Sequence, residues 1–231
     1  MKINALLGLF AMLALSATAA EKDDVAAAVK KLADQSYSWK TTVTVPEGRG
    51  FRMGPTEGKI AKDGTLHVVT SFGENKFQTA IKGGKAAMTN RDGEWQSAAE
   101  LESAEGPGRW MAANARNFKA PAAQATEILG YVKDLKKDGD AYTAALSEEG
   151  VKALLTMRRA GAEPRPVTNP SGSAKFWLKD GQLSKYEIHV KGTTKNQNGD
   201  DMEIDRTTTV EIKDVGNTTV ELPQEAQKKL G

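Results

Sequence analysis

The two histidines, His67 and His189, are the side chains best suited to metal binding or proton transfer near neutral pH. They lie far apart in separate strand-like segments, and neither belongs to an HExxH motif or has a second ligand close by. A metal site needs three or four clustered ligands. We therefore expect both histidines to be structural, and we expect no metal or other cofactor.

Nucleophilic chemistry is equally poorly represented in the sequence. The chain has no cysteine, which excludes thiol catalysis, iron–sulfur clusters and thiolate zinc. It contains neither a G-x-S-x-G elbow nor a P-loop. The sequence therefore predicts a protein that is not an enzyme and has no catalytic residues.

One segment, Thr194 to Asp205, slightly resembles a calcium-binding loop. Thr194 stands where the first aspartate belongs, and Asp205 stands where the bidentate glutamate belongs. A hairpin turn explains the segment better. Glu203, Asp205 and Glu211 alternate along the following strand, which indicates a solvated face with cross-strand ion pairs.

The overall charge is close to balanced, with 32 Lys and Arg against 30 Asp and Glu and a net charge of +2. Nucleic-acid affinity rests on many uncompensated basic side chains, so no nucleic-acid partner is expected. The composition, 39% apolar and 27% charged, is that of an ordinary globular protein.

The N-terminal segment has the pattern of a secretory signal peptide. Lys2 precedes an apolar run, Ala5 to Leu15, and small residues from Ser16 to Ala20 follow it. The run is shorter than the roughly 20 residues of a membrane span, so we expect cleavage after Ala19 or Ala20 rather than an anchor. No cysteine is present to carry lipid. We expect a bacterial periplasmic protein that is not an integral membrane protein, with residues 1–20 removed and 21–231 forming one domain.

After this segment the hydrophobic period changes along the chain. Val25, Val29 and Leu32 predict a helix over Glu21–Gln35. Tyr37–Val45 then alternates as a strand. Short alternating segments follow as far as Gln96, with Asp-Gly and Gly-Gly pairs between them, and these pairs predict hairpins with type I′ turns.

Helices are predicted within residues 97–136, where one apolar stripe is Met111, Ala115 and Phe118, and the second is Ala125, Ile128, Leu129, Val132 and Leu135.

The second half of the sequence returns to strands. Ala141–Leu146 is a predicted strand, and Ser147 caps a helix that reaches Arg158 and Arg159. Pro164, Pro166 and Pro170 predict an extended loop after that helix. Three strands follow, Ala174–Lys179, Gln182–Lys195 and Asp201–Asp214, with a type I′ turn expected at Asn198-Gly199. Long antiparallel strands twist and coil, so the fold class is α+β, with a strongly curved antiparallel sheet close to half a barrel.

Apolar side chains alternate with polar ones on the strands, which defines a candidate ligand-binding face. One interpretation is that these side chains form an ordinary hydrophobic core with no ligand. A curved, incompletely closed sheet covered by helices can also leave an apolar space that binds a ligand. The helix containing Trp110 and Met111 follows the meander and is the expected movable cover. The candidate ligand-binding residues are Trp39, Val43, Phe77, Ile81, Trp110, Met111, Tyr186 and Ile188.

The order of these elements resembles the LolA- and LprG-like lipoprotein-carrier superfamily. A helix before SYSWKTTVTV is similar to the family's first helix and strand, and AKFWLKDGQLSKYEIHV is similar to a strand pair joined by Asp-Gly. The resemblance implies a half-open β-barrel with helices over its concave face, and acyl chains carried in a hydrophobic cavity. The helix from Ser147 to Arg159 looks like an insertion.

Two functions are therefore compared. The favoured one is a periplasmic protein that binds or carries a lipid, an acylated molecule or another apolar ligand, without catalysis. The alternative is a structural or protein-interaction module of the cell envelope, with a filled core and an envelope protein as its partner.

Overall fold

The fold is seen in a computed structural model that describes residues 7–46, 54–103, 108–156, 166–196 and 198–231. The side chains of residues 7–19 and of Trp110 lie outside this description. Arg158, Arg159 and Pro164, which the sequence analysis places at a helix end or in a loop, lie outside the described residues.

One antiparallel sheet contains all eleven strands of the described residues, in the order β6-β5-β4-β3-β2-β1-β11-β10-β9-β8-β7. The first strand pairs with the last, and the two end strands do not pair with each other, so the sheet stays open. The expected α+β class with a curved, half-open barrel is confirmed. The strands are β1 (Tyr37–Thr44), β2 (Thr56–Ile60), β3 (Leu66–Phe72), β4 (Asn75–Lys82), β5 (Lys85–Thr89), β6 (Trp95–Ser97), β7 (Lys136–Asp138), β8 (Ala141–Ala145), β9 (Val167–Lys179), β10 (Gln182–Lys195) and β11 (Asp201–Lys213).

Six helices accompany the sheet in the described ranges: α1 (Leu7–Ala33), α2 (Ala98–Ser103), α3 (Gly108–Arg116), α4 (Pro121–Tyr131), α5 (Glu148–Leu155) and α6 (Gln224–Leu230). α1 continues from the predicted signal segment into the predicted helix without a break. Pro121 begins α4, where its missing N–H is harmless, and the Ser147 hydroxyl caps α5 by accepting from Gly150 N at 3.1 Å. Over the described residues, no helix combines the length and apolar character that a bilayer span requires.

The main core lies between one face of the sheet, called here the inward face, and α1, α4 and α5. It combines Val25 of α1, Ile128 of α4 and Val151 of α5 with strand side chains such as Trp39 and Tyr186. On the strands these side chains alternate with more exposed ones, as the period-two pattern predicts.

The β5 end of the sheet is covered on both faces. Ala86, 4% exposed, packs on one face with side chains of α2 and α3, whereas Ala87, 0% exposed, packs on the other with side chains of α6. Ile81 packs against both the main core and the α2–α3 cluster, so α2 and α3 lie on the inward face. α6 therefore covers the outward face.

The hairpin tips fall at the predicted glycines, but their turns are of more than one kind. Asp180 and Gly181 have φ of 54° and 68°, as a type I′ turn requires. The expected type I′ turns at Asp63-Gly64, Asp92-Gly93 and Asn198-Gly199 are wrong, because only the glycine of each pair has a positive φ. Asn196 N donates to Asp200 O at 2.9 Å, which makes the loop longer than two residues. Asn196 Oδ1 also accepts from Asn198 N and Asp200 N, so the side chain favours the longer loop.

The second predicted apolar stripe is longer than the helix that contains it, because α4 ends at Tyr131. Val132 has extended backbone, with φ −76° and ψ 139°, and Lys133 N donates to Ala145 O at 3.1 Å. Leu135 precedes β7, an edge strand that the sequence analysis missed. Val132 and Leu135 are nevertheless buried, because the chain continues along the core after α4 stops.

The last predicted loop is partly strand, since β9 begins at Val167 rather than at Ala174. Ser171 pairs with Lys191 and Thr168 pairs with Thr193, so Asn169 and Pro170 together lie opposite one residue of β10. This is a β-bulge, in which proline's missing N–H is tolerated.

Candidate functional site

Cross-strand pairing arranges the inward face in three rows. The first row is Ile212, Trp39, Gly58, Val68, Thr79 and Met88. The second row is Tyr186, Val210, Thr41, Thr56, Thr70 and Phe77. The third row is Ile188, Thr208 and Val43. Because side chains two residues apart share a face, all three rows lie on the inward side.

The candidate residues on the strands all belong to this face. Trp39 lies in the first row, Phe77 and Tyr186 in the second, and Val43 and Ile188 in the third. Ile81 pairs with Leu66, one step before the first row. The structure thus brings the predicted strand residues onto one surface, although they come from three separate strands, β1, β4 and β10.

At the first-row end, the face is filled by packed side chains. The Trp39 ring stacks on Phe118, with ring centres 6.3 Å apart and planes at 29°, and lies 5.8 Å from the Tyr37 ring. Trp39 is 4% exposed and Tyr186 is 0% exposed. Both side chains are therefore part of the core.

Two tyrosine hydroxyls fix the start of α4 to this end of the face. Ala122 N donates to the Tyr37 hydroxyl at 3.2 Å, and the Tyr186 hydroxyl donates to Gln124 Oε1 at 3.1 Å. Burial raises the pKa of both tyrosines above the ordinary value, which keeps the hydroxyls neutral. The hydroxyls are thus structural hydrogen-bonding groups at physiological pH.

Toward the third-row end the face becomes more exposed on β1, β3, β4 and β11, whereas the inward side chains of β10 stay buried. Val43, Phe77 and Thr208 are half-buried. Phe72 is 40% exposed and Met202 is 42% exposed, and the Phe72 ring meets Phe77 edge-on at 6.3 Å. The described part of the chain therefore leaves apolar side chains accessible here. We call this region the open end of the inward face.

The expected cover, α3, lies beside the β4–β5 part of the face. Met111 is half-buried and packs with Ile81 and Met88 against a small cluster. The buried members of this cluster are Ala86, Ala98, Leu101, Ala112 and Ala115. The described side chains that α3 buries in this cluster are Ala112 and Ala115, and alanine buries little apolar area. The backbone of Trp110 lies in α3, but its side chain is outside the described ones.

Both histidines lie on the outward face, away from these rows. His67 Nε2 is 3.0 Å from Gln78 Oε1, and His189 Nε2 is 2.9 Å from Asp205 Oδ1. Lys191–Glu203 and Lys195–Asp201 continue the pairing along β10 and β11 at 3.5 and 2.7 Å. This agrees with the interpretation of the acidic stripe as a solvated face with ion pairs.

Sequence reasoning missed Arg206, which lies on the inward face next to Thr208. It is half-buried, and its Nη2 donates to Leu154 O of α5 at 2.7 Å. The signal was available in the alternation of β11, where even-numbered residues face inward. The acidic residues of β11 that the sequence analysis considered, Glu203, Asp205 and Glu211, lie on the opposite face.

Comparison with known proteins identifies the architecture. No protein-family model matches the sequence, and no curated protein matches it. Among solved structures, lipoprotein LppX of Mycobacterium tuberculosis aligns with a TM-score of 0.51 at 11% identity, over 87% of this chain and 98% of LppX. The chain has the fold of LppX.

Two further structures are similar over most of the chain. LprF of Mycobacterium bovis has a TM-score of 0.49 at 12% identity, over 90% of this chain and 98% of LprF. A LolA superfamily protein of Nitrosomonas europaea has a TM-score of 0.30 at 10% identity, over 88% of this chain and 95% of that one. The half-open sheet with covering helices that the order of elements predicted is confirmed as the fold that the chain shares with LppX. At these identities the likeness to LppX concerns the fold alone.

Proposed function

We propose that this protein binds or carries a lipid or another apolar ligand at the open end of the inward face, without catalysis. The observation that carries the proposal is the change along one face, from fully packed side chains at Trp39 to the 40% and 42% exposed side chains of Phe72 and Met202. Exposed apolar patches on a concave surface are typical of ligand-binding sites. The sequence resemblance to lipoprotein carriers, which implies an acyl-chain cargo, supports the same function.

The ligand contacts divide by position on the face. Val43 and Phe77 would contact the ligand directly, with Ile188 lining the deeper end of the third row. Trp39 and Tyr186 would form the floor, because neither has accessible surface of its own. α3 would cover the ligand through Trp110 and Met111, since its alanine contacts allow it to move at small energetic cost.

Export to the periplasm belongs to the same proposal. Among the described side chains of α1, Val25 is the first in the buried core, so cleavage after Ala19 or Ala20 leaves these described core contacts in the mature chain. N-terminal sequencing of protein from a periplasmic fraction should begin at Ala20 or Glu21. An intact Met1 in that fraction would contradict the export proposal.

Ligand binding is tested by titrating a fluorescent fatty acid into the purified protein and by native mass spectrometry of protein from periplasm. Phe77→Ala should weaken probe binding several-fold and lower the free energy of unfolding by about 1–2 kcal/mol, because Phe77 is only half-buried. Trp39→Ala is the matched aromatic control and should lose about 3–5 kcal/mol, as expected for a filled core.

The cover is tested by Trp110→Ala with the same two measurements. A residue in a movable cover should lose less stability than Trp39→Ala and more probe affinity. The alternative function, an interaction module with a filled core, is favoured by the complete burial around Tyr186. A wild-type protein that binds no probe and carries no lipid, together with a large stability loss in Trp110→Ala, would decide for that module.

A further inference from the structure

Arg206 introduces a positive charge into an otherwise uncharged part of the inward face. Among the described inward residues of β1, β2, β3, β4, β11 and the Tyr186–Thr194 part of β10, it is the one charged side chain. Val190 lies directly opposite it on β10. Ile204 and Thr208 flank it on the same face of β11, where Ile204 continues toward the exposed Met202.

The guanidinium has more donors than the described residues use. Its Nη2 donates to Leu154 O at 2.7 Å, which leaves most of its five N–H groups for other acceptors. Burial lowers the pKa of Arg206, and within the described ranges no carboxylate is paired with it. A partly desolvated cation without a counter-ion is unfavourable, so an anion entering the face would gain a charge-assisted hydrogen bond.

The surroundings limit which anions fit. Phe72 on β3, Phe77 on β4 and Met202 on β11 are partly exposed apolar side chains of the inward face, and Arg206 lies on β11 between Met202 and Thr208. A planar guanidinium binds a carboxylate or a phosphate through two parallel hydrogen bonds. The hydroxyl of Thr208, next to Arg206, can add a further hydrogen bond.

We infer that Arg206 binds the negatively charged headgroup of an amphiphile, a carboxylate or phosphate, while the apolar chains of that molecule lie along the open end. This inference rests on the proposed lipid-binding function and adds the ligand class to it. The competing role for Arg206 is purely structural, as a side chain that satisfies the Leu154 carbonyl in the last turn of α5.

The test compares a dansyl-labelled fatty acid with its methyl ester at about pH 8, where the carboxyl group is ionised. The unchanged protein should bind the acid about tenfold or more tightly than the ester, as expected for one charge-assisted hydrogen bond. Because this comparison needs no variant, it holds even if a substitution prevents folding. Equal affinity for acid and ester would overturn the inference and leave the proposed function standing.

Variants then assign the preference to Arg206. Arg206→Gln should lose about tenfold in affinity for the acid and leave the affinity for the ester unchanged, and Arg206→Lys should retain part of the preference. Lys191→Gln is the matched control, because it removes the same charge from the outward face of the neighbouring strand. An equal loss for acid and ester in Arg206→Gln would show a structural role and overturn the inference.

Inorganic phosphate distinguishes a headgroup from a free anion. Phosphate should compete with the acid only weakly, since it lacks the apolar chain. Phosphate that stabilises the unchanged protein against heat, without an acid-over-ester preference, would identify a free-anion site and overturn the headgroup assignment. A protein that binds neither acid nor ester would contradict the proposed function as well.

Discussion

The indole of Trp39 lies directly over the backbone of Gly58, its cross-strand partner on β2. A Cβ added to Gly58 would lie 2.1 Å from Trp39 Cζ2, closer than any real contact of this kind. The glycine is therefore required by the space that the ring occupies, and the ring in turn buries the strand backbone at Gly58.

Replacing Gly58 by alanine should lower the free energy of unfolding by about 1–3 kcal/mol, because the added methyl overpacks the Trp39 ring. Urea unfolding followed by tryptophan fluorescence measures this change. The control is Gly130→Ala in α4, where a Cβ would meet open space. That variant should gain about 0.5–1 kcal/mol, since alanine favours helix. Equal stability of Gly58→Ala and wild type would contradict the packing argument.

Tyr186→Phe should destabilise the protein by about 1 kcal/mol through loss of the hydrogen bond to Gln124 Oε1. Gln124 Nε2 donates to Lys119 O at 2.7 Å, so the amide is held with Oε1 toward the tyrosine. Thermal and chemical unfolding measure the loss. Tyr142→Phe is the control, because its hydroxyl makes no hydrogen bond to the described residues and its removal should change little. A similar loss in both variants would argue against the α4 attachment.

The ion pair between Lys229 and Glu100 connects α6 on the outward face with α2 on the inward face at 2.6 Å. Glu100 also forms a capping box with Ser97: its Oε2 accepts from Ser97 N, and its own N–H donates to the Ser97 hydroxyl. Hydrogen bonds from Lys229 and from Ser97 lower the pKa of Glu100 from 4.5 to about 2. The pKa is depressed in the folded state, so the stabilisation is complete above about 4.5 and is lost as the pH falls through about 2.

Carboxyl NMR titration tests this pH dependence. Lys229→Met should raise the pKa of Glu100 toward its ordinary value, because the strongest donor to the carboxylate is removed. The matched control is Lys228→Met, whose lysine pairs with Glu225 at 2.7 Å instead. A Glu100 pKa that is unchanged in Lys229→Met would show that the pair does not form in solution.

Gly199→Val should lower the free energy of unfolding by about 1–3 kcal/mol, since Gly199 has φ 87° and a β-branched residue resists the left-handed region. Gly199→Asn is the comparison, because asparagine tolerates this conformation better and should lose less. Differential scanning calorimetry of both variants gives the difference. Equal melting temperatures for valine and glycine at this position would rule out the left-handed turn.

Local elements were largely predictable because their signals are local. The alternation in Tyr37–Val45 and the glycines at the hairpin tips placed the strands and turns within a few residues. Errors arose where neighbours far along the chain decide the conformation. Val132 and Leu135 have helical spacing but leave α4 to follow the sheet, and Pro170 lies in a strand because a bulge accommodates it.

The candidate site was predictable only as a pattern of alternating residues. The sequence indicated that Trp39, Phe77 and Tyr186 face inward, and the strand register confirms this. It did not show that Trp39 and Tyr186 are sealed in the core while Phe77 is half-buried. The burial of each side chain depends on which helix packs over its row. The alternation of residues within a strand does not indicate which helix that is.

The sequence by itself determined the order of helices and strands apart from β7, the absence of cysteine chemistry and the alternation that sets the inward face of each strand, because composition, period and turn residues are local properties. Tertiary structure alone decided that β1 pairs with β11, that Trp39 covers Gly58 and that Arg206 reaches the Leu154 carbonyl. These contacts join residues far apart in the chain. They form only when closure of the loops between them is offset by burial of the whole inward face, and that balance belongs to the folded molecule rather than to any segment.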